Sequence, residues 1–395
     1  MSNSFQTSVF FVGATGYIGG AVLTRILQHP DRPRLDITAL VRSPEKAKKL
    51  EKLGITPVLG SLQDTGRLEH LASKADIVVA CADADDLPAA QAILRGMARR
   101  KELTRDVPVL IHTSGTGVFS DNAAGMHPTS TIYSDADVEQ MASLSPNQLH
   151  RSIDLAVLDA DSKGTIKAYI VLPSTIWGLA SGPLIDAQIA NPHSQQIPML
   201  IKASLARAQA GMVGEGKNLW PNVNIDEVAD LFGLVFSAVR AGRPIGHGTD
   251  GYYIGENGEH MLYDVSRAIG EALVTLGKAS TDQVTTFSPE ELDKYFGGSD
   301  YLGTNVRCRA EHSRAIGWKP VKTTRHMLAS VKLEIEAILQ RPEELKILYL
   351  RICGKRAGPV KGQRAGREDR SVLLTRFSDT ALLKHRVSAE YLGPE

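Results

Sequence analysis

Gly13, Gly16 and Gly19 recur at three-residue spacing directly after the apolar run V-F-F-V at residues 9–12, in the stretch S-V-F-F-V-G-A-T-G-Y-I-G-G of residues 8–20. The chemistry this pattern serves is phosphate binding. Gly13 allows a tight turn out of a strand, Gly16 lets a pyrophosphate approach the backbone, and Gly19 lets the following helix pack closely on a sheet. Thr15, Tyr17 and Ile18 complete the loop and offer N–H groups at the start of that helix, where the peptide dipoles favour an anion. A dinucleotide is the ligand this context fits. At the end of the next apolar run stand Arg42 and Ser43, followed by Lys46. A chain preferring NAD carries Asp or Glu there to accept from the ribose 2′-hydroxyl. A guanidinium instead grips a 2′-phosphate, so NADP(H) is the expected cofactor, with NAD(H) possible. Ser43 also suits the cap of a helix beginning at Pro44, a role compatible with phosphate contact.

These residues must be held by alternating strands and helices. Apolar runs at residues 9–12, 35–41, 56–59, 77–81 and 109–113 read as strands, with helical patterns between them, including one over 88–102. Alternation at short spacing implies parallel pairing and right-handed crossovers. The fold class is α/β, a doubly wound parallel Rossmann sheet with a smaller C-terminal substrate lobe. Its ligands lie beyond the carboxyl ends of the strands, where Ala82 passes beside the cofactor. The expected division is a cofactor-binding core over 1–175, a substrate lobe with returning Rossmann elements over 176–340, and a basic, disordered tail over 341–395.

Composition narrows the class further. The 395 residues are 43% hydrophobic and 23% charged, with a formal net charge of +1, which gives no electrostatic case for nucleic acid or an acidic membrane surface. Cys81, Cys308 and Cys353 have no paired spacing, so neither a disulfide framework nor a metal site is expected. The apolar N-terminus lacks a basic leader and is interrupted by glycines, and no run reaches the ~18 apolar residues of a membrane helix. These features predict a cytoplasmic protein acting on a small molecule, as a monomer or homodimer.

The pattern resembles the short-chain dehydrogenase/reductase superfamily in its extended and atypical branches, which include epimerases, dehydratases and NmrA-like proteins. The resemblance rests on G-A-T-G-Y-I-G at 13–19, G-S-L-Q-D at 60–64, H-T-S-G-T-G at 112–117, I-V-L-P-S-T-I-W-G at 170–178, N-V-N-I-D-E-V-A-D at 222–230 and I-G-W-K-P at 316–320. It implies that Asp64 contacts the adenine amine. It also implies a Tyr that passes a proton to or from the substrate oxygen, a Lys four residues later and a Ser or Thr that orients the carbonyl.

No tyrosine in this chain has a lysine four residues on. The helix that would carry the pair is expected over 147–161, where His150 and Asp154 fall near the two catalytic positions. A histidine can act as general acid near neutral pH, and a carboxylate one turn away can orient it. The plainer alternative has His150 and Arg151 binding substrate or capping the helix, with Asp154 paired to Arg151 or solvent. Gly115 stands where the resemblance places the hydroxyl, leaving Ser114 or Thr116 as substitutes, or Ser114 as a turn-forming residue only. Tyr133, in the polar segment 129–137, is a second candidate proton donor that would enter from a loop. Trp177, Leu184, Met199, Met212 and Trp220 are candidate pocket-lining residues for a partly apolar substrate. The function read from these residues is NADP(H)-dependent reduction of a carbonyl or enone of a small, partly apolar metabolite. The alternatives are an NAD(P)-dependent epimerase or dehydratase, and a non-catalytic NADP-binding regulator of the NmrA-like kind.

Overall fold

The structure is a computed structural model that describes residues 6–340; the basic tail expected over 341–395 lies outside the described residues. Seven parallel strands form the central sheet: β1 (Thr7–Val12), β2 (Leu35–Val41), β3 (Thr56–Leu59), β4 (Ile77–Ala80), β5 (Val109–Thr113), β7 (Lys167–Pro173) and β11 (Tyr252–Gly255). A short β6 (Tyr133–Ser134) lies outside it. The order across the sheet is β11-β7-β5-β4-β1-β2-β3, so the chain runs outward from β1 in one direction and from β4 in the other. That reversal opens a crevice above the carboxyl ends of β1 and β4. Residues 9–12 of β1 are almost wholly buried, as a strand covered on both faces requires.

The helices start where local chemistry starts them. Helix α1 (Tyr17–Leu27) leaves the glycine turn, and α2 (Pro44–Glu51) begins with Pro44 behind Ser43, whose hydroxyl accepts from the Lys46 N–H at 3.3 Å. Helix α3 (Thr65–Ala72) follows, and α4 (Leu87–Thr104) is capped by Asp86, which accepts from the Ala89 N–H at 3.0 Å. Helix α5 (Val138–Ala142) and α6 (Arg151–Ser162) precede β7. Helix α6 is shorter at its start than the sequence pattern predicts, because His150 sits ahead of it in a left-handed conformation with φ 65°.

The remaining chain builds the smaller lobe. It contributes β8 (Thr175–Trp177), β9 (Gly211–Met212), β10 (Leu219–Asn224), β12 (Glu259–Met261), β13 (Thr285–Thr286) and β14 (Cys308–Arg309). Its helices are α7 (Pro183–Asp186), α8 (Gln196–Arg207), α9 (Ile225–Arg240), α10 (Leu262–Thr275), α11 (Pro289–Phe296), α12 (Glu311–Ala315) and α13 (Thr324–Gln340). Ile197, Leu200, Val265, Ile269, Met327 and Ile335 give this lobe an apolar core of its own, while α9 and β11 return to the central sheet. Two bonds tie the lobe to the glycine turn: the Tyr17 phenol donates to the Gly178 carbonyl, and the Asn191 N–H donates to the Thr15 carbonyl at 3.2 Å. The buried Asp135 carboxylate accepts from the N–H groups of Ile254, Glu311 and His312 at 2.7–2.9 Å, which fixes the chain around β6 to β11 and α12.

Candidate active site

The glycine turn has the shape of a phosphate cradle. Gly13 adopts φ 93°, and a Cβ there would lie 2.5 Å from the backbone carbon of Cys81 and 2.8 Å from the Ala82 nitrogen. A Cβ at Gly19 would lie 2.7 Å from the Gly13 carbonyl carbon, so α1 packs against the turn at a distance only glycine allows. Gly16 is less constrained, meeting only the Gly13 oxygen at 3.3 Å. Tyr17 and Ile18 supply the first turn of α1. The Tyr17 phenol is buried and turned toward Gly178, which leaves its backbone N–H as its contribution to the cradle.

Along the crevice, an open cleft is lined by Val12, Leu62, Ala82, Asp83, His112 and Thr113, among others. Arg42 is exposed at the end of β2, beside the capped start of α2 that carries Ser43 and Lys46. Asp64 occupies the cap position of α3, and its carboxylate accepts from the Ser61 N–H at 2.9 Å; it is turned back on its own loop.

At the other end of the crevice, residues from three elements converge. The Ser114 hydroxyl, just past β5, donates to Asp154 Oδ2 at 3.0 Å, and Asp154 is fully buried in α6. His112 Nε2 lies 3.9 Å from Asp154 Oδ1, too far for a hydrogen bond, and neither atom has a partner among the described residues. Thr116 Oγ1 is buried and equally unpartnered. His150 Nδ1 lies 2.9 Å from Asp85 Oδ1, which also accepts from the His150 backbone N–H at 3.2 Å. Nε2 of His150 therefore faces Gly115 and Gly117: a Cβ on Gly115 would come within 3.1 Å of it.

This arrangement corrects three expectations. His150 and Asp154 do not share a helix face, because His150 precedes α6; the carboxylate that orients its ring is Asp85, and Asp154 holds Ser114. Arg151, read as a partner for Asp154, instead donates to the Tyr252 phenol and the Met141 carbonyl. Tyr133 is not on a loose loop. It pairs in β6 with β14, and its ring stacks on Phe119 with centroids 4.5 Å apart.

Burial shapes the titration of this cluster. It pushes the Asp154 carboxyl up to about 6, against the opposing pull of the Ser114 bond and of His150 and Arg151. It lowers His112 to about 4, reinforced by His150. Between those values both groups are neutral, so their approach is not an ion pair. A carboxyl raised in the folded state stabilises most below its ordinary value near 4 and loses that contribution as pH rises through 6. A histidine lowered in the folded state stabilises most above ~6.5 and loses that contribution as pH falls through 4. The two slopes oppose one another in wild-type protein. Asp154→Asn removes the first, so the stability of the variant relative to wild type should rise by on the order of 2 kcal/mol between pH 4.5 and 7.5. Urea unfolding at the two pH values measures this, and an unchanged difference would contradict it.

Sequence reasoning missed Asp85, His112 and Tyr301. Asp85 lies in the run A-D-A-D-D at 82–86, whose acidic density past β4 was the available signal. His112 immediately precedes the T-S-G-T-G motif. Tyr301, which approaches from the lobe 151 residues beyond His150, had no signal in spacing.

A second, small cleft lies in the lobe between α8, β10 and α10. Thr175, Gln196, Leu200, Asn218, Trp220, His260 and Leu302 line much of it. Of the five residues expected to line a pocket, Trp220 alone is among its walls; Trp177 and Leu184 are buried, and Met199 and Met212 pack against the lobe core.

A family model described as NAD(P)H-binding matches residues 13–140, the segment that carries the cradle, Arg42 and the ends of β4 and β5. The segment 13–140 is thus similar to an NAD(P)H-binding domain, set in a Rossmann-like α/β fold. The chain is similar to the oxidase ucsJ of an Acremonium species, 28% identical over 356 residues that cover 85% of this chain and 97% of the relative. Among solved structures it resembles the PbgP3 protein of Burkholderia pseudomallei, with TM-score 0.60 and 15% identity over 87% of this chain and 99% of that one. It also resembles a dTDP-glucose 4,6-dehydratase of Bacillus anthracis in complex with NAD, with TM-score 0.58 and 18% identity over 87% of this chain and 99% of the other. The orphaned polar atoms at the end of β5 and the cradle around Gly13 fit such a cofactor, which needs hydroxyl partners at one end and close backbone approach in the middle. No helix among the described residues is long and apolar enough to cross a membrane.

Proposed function

We propose that this protein is an NADP(H)-dependent reductase of a small, uncharged and partly apolar carbonyl compound. The observation that carries the reading is the His150–Asp85 pair, which aims a ring nitrogen at Gly115 and Gly117, just past the end of β5, where no side chain intervenes. Bound reduced nicotinamide supplies a hydride. His150, protonated on both ring nitrogens, supplies the matching proton from Nε2, Asp85 holds Nδ1–H and orients the ring, and Ser114, held by Asp154, stands beside the carbonyl oxygen. The name of the fungal relative, an oxidase, supports redox chemistry on this fold.

The lobe cleft supports the substrate class. No Asp, Glu, Lys or Arg is among its lining residues, and burial lowers His260 to about 4, so that ring is neutral at pH 7. A charged ligand would enter this cleft without a counter-charge. Asn218 Oδ1 is buried without a partner among the described residues and is suited to accept from a ligand hydroxyl.

Arg42, exposed beyond β2, supports a preference for the 2′-phosphate. Arg42→Asp is expected to weaken NADPH binding about 10–100-fold, the worth of a charge-assisted bond, and NADH binding far less. Titrating both nucleotides into wild type and variant checks this; an equal loss for both would remove the role given to Arg42.

The absent Tyr-x-x-x-Lys pair favours a second reading, a cofactor-binding regulator without turnover. NADPH consumption over a panel of aldehydes, ketones and enones separates the two. Steady oxidation supports the reductase, and tight NADPH binding with no oxidation supports the regulator.

A further inference from the structure

Tyr301 lies between the lobe cleft and the crevice. Its ring meets Trp220, a wall of the cleft, edge-on at 5.4 Å between centroids, and the next residue, Leu302, is also a wall. Its hydroxyl points the other way: a Cβ on Gly117 would lie 2.5 Å from Tyr301 Oη and 3.6 Å from His150 Nε2. The phenol and the imidazole therefore face one small space that glycine leaves clear. A methyl group at residue 117 would intrude on the phenol, and a side chain at 115 would press on the imidazole.

We infer that Tyr301 and His150 form a single proton-transfer pair in which the phenol is the group that meets the substrate oxygen. The inference rests on the reductase reading and deepens it. Burial, with the negative charge of Asp85 nearby, raises the Tyr301 phenol above its usual range, so it carries its proton at neutral pH. The carbonyl carbon accepts the hydride from reduced nicotinamide as the C=O π bond breaks, and the oxygen takes the proton of Tyr301 Oη. The phenolate regains a proton from His150 Nε2, the ring being protonated on both nitrogens with its Nδ1–H held by Asp85, and Nε2 regains that proton from solvent beside the half-exposed Asp85. The balance is carbonyl, NADPH and a proton giving alcohol and NADP⁺. The lobe thereby contributes a phenol to a site whose α6 supplies none.

The test uses the full chain with Tyr301→Phe and Gly117→Ala, and Tyr263→Phe, on the exposed surface of α10, as control. It measures NADPH oxidation and the titration of the His150 imidazole by NMR in the cofactor-bound protein. Tyr301→Phe should lower kcat by about 10²–10³ while leaving KM and NADPH affinity within about threefold. Gly117→Ala, which keeps both residues and displaces the hydroxyl, should lower kcat in the same direction, and Tyr263→Phe should match wild type. In Tyr301→Phe the His150 titration midpoint should differ from that of wild type, because the hydroxyl facing the same space is gone. Wild-type kcat in Tyr301→Phe overturns the inference. If wild-type protein oxidises no NADPH with any carbonyl, the reductase reading fails by itself. The pair is then decided by the titration: an unmoved His150 midpoint overturns it, and a moved one supports the pair without that reading.

Discussion

His150→Ala should lower kcat for carbonyl reduction by about 10²–10⁴, the usual worth of a positioned general acid, and leave NADPH affinity within about threefold. The separation follows from geometry. His150 touches the space above Gly115 and Gly117, whereas the cradle that grips the cofactor is built by Gly13, Gly16 and Gly19 at the start of α1. Folding should survive the change, because the left-handed backbone at His150, which costs a non-glycine residue about 1–2 kcal/mol, is borne equally by alanine. His150→Gly relieves that backbone cost and should be at least as stable as His150→Ala while equally inactive. Asp85→Asn keeps the ring and loses the charge that orients it. Since Asp85 is half exposed, its charge-assisted bond is discounted, and a loss of about tenfold in kcat is expected. Steady-state NADPH oxidation with parallel binding titrations reads all three. A His150→Ala enzyme that keeps its kcat, or one that loses kcat only because it no longer binds NADPH, contradicts the role given to this residue.

Gly13→Ala should abolish measurable NADPH binding and destabilise the protein by about 2–4 kcal/mol. Two costs combine there. The backbone at φ 93° is one an L side chain rarely adopts, and the new methyl meets the backbone of Cys81 and Ala82 at the end of β4 rather than the movable tip of a side chain. Because β4 is the strand beside β1 at the crevice, relief of that clash must come from the sheet itself. Gly66→Ala is the contrast. It lies in α3, has no positive φ, and its Cβ would meet nothing within 4 Å, so the same substitution there should stabilise by about 0.5–1 kcal/mol. Denaturant unfolding of both variants measures the difference, and comparable stabilities would show that the turn is not strained as described.

The central sheet was legible from sequence because its strands are short apolar runs separated by helices with explicit start signals. The boundaries of β2, β3 and β5 follow from those runs, and the cap at Ser43 stands where the residue types place it. The cofactor end of the site was legible for the same reason: glycines at fixed spacing act through the backbone of one contiguous turn. The catalytic end was not, because its partners come from four separate elements. Asp85 follows β4, Ser114 follows β5, His150 precedes α6 and Tyr301 arrives from the lobe. A spacing argument can pair His150 only with a residue one helical turn away, and the left-handed backbone at His150 removes it from the helix on which that argument depends. Tyr133 shows the same limit from the other side. A polar segment reads as a loop, yet the buried Asp135 two residues on, bonded to three backbone N–H groups of β11 and α12, fixes it in place.

The measurement that tests the central claim most directly is oxidation of stoichiometrically bound NADPH by a panel of uncharged aldehydes, ketones and enones, in wild type and His150→Ala. The account predicts that wild-type protein consumes its NADPH with at least one carbonyl class and that His150→Ala, equally loaded, consumes it about 10²–10⁴ times more slowly. NADPH that stays reduced in wild type against the whole panel, or is consumed at the same rate in both proteins, would contradict it.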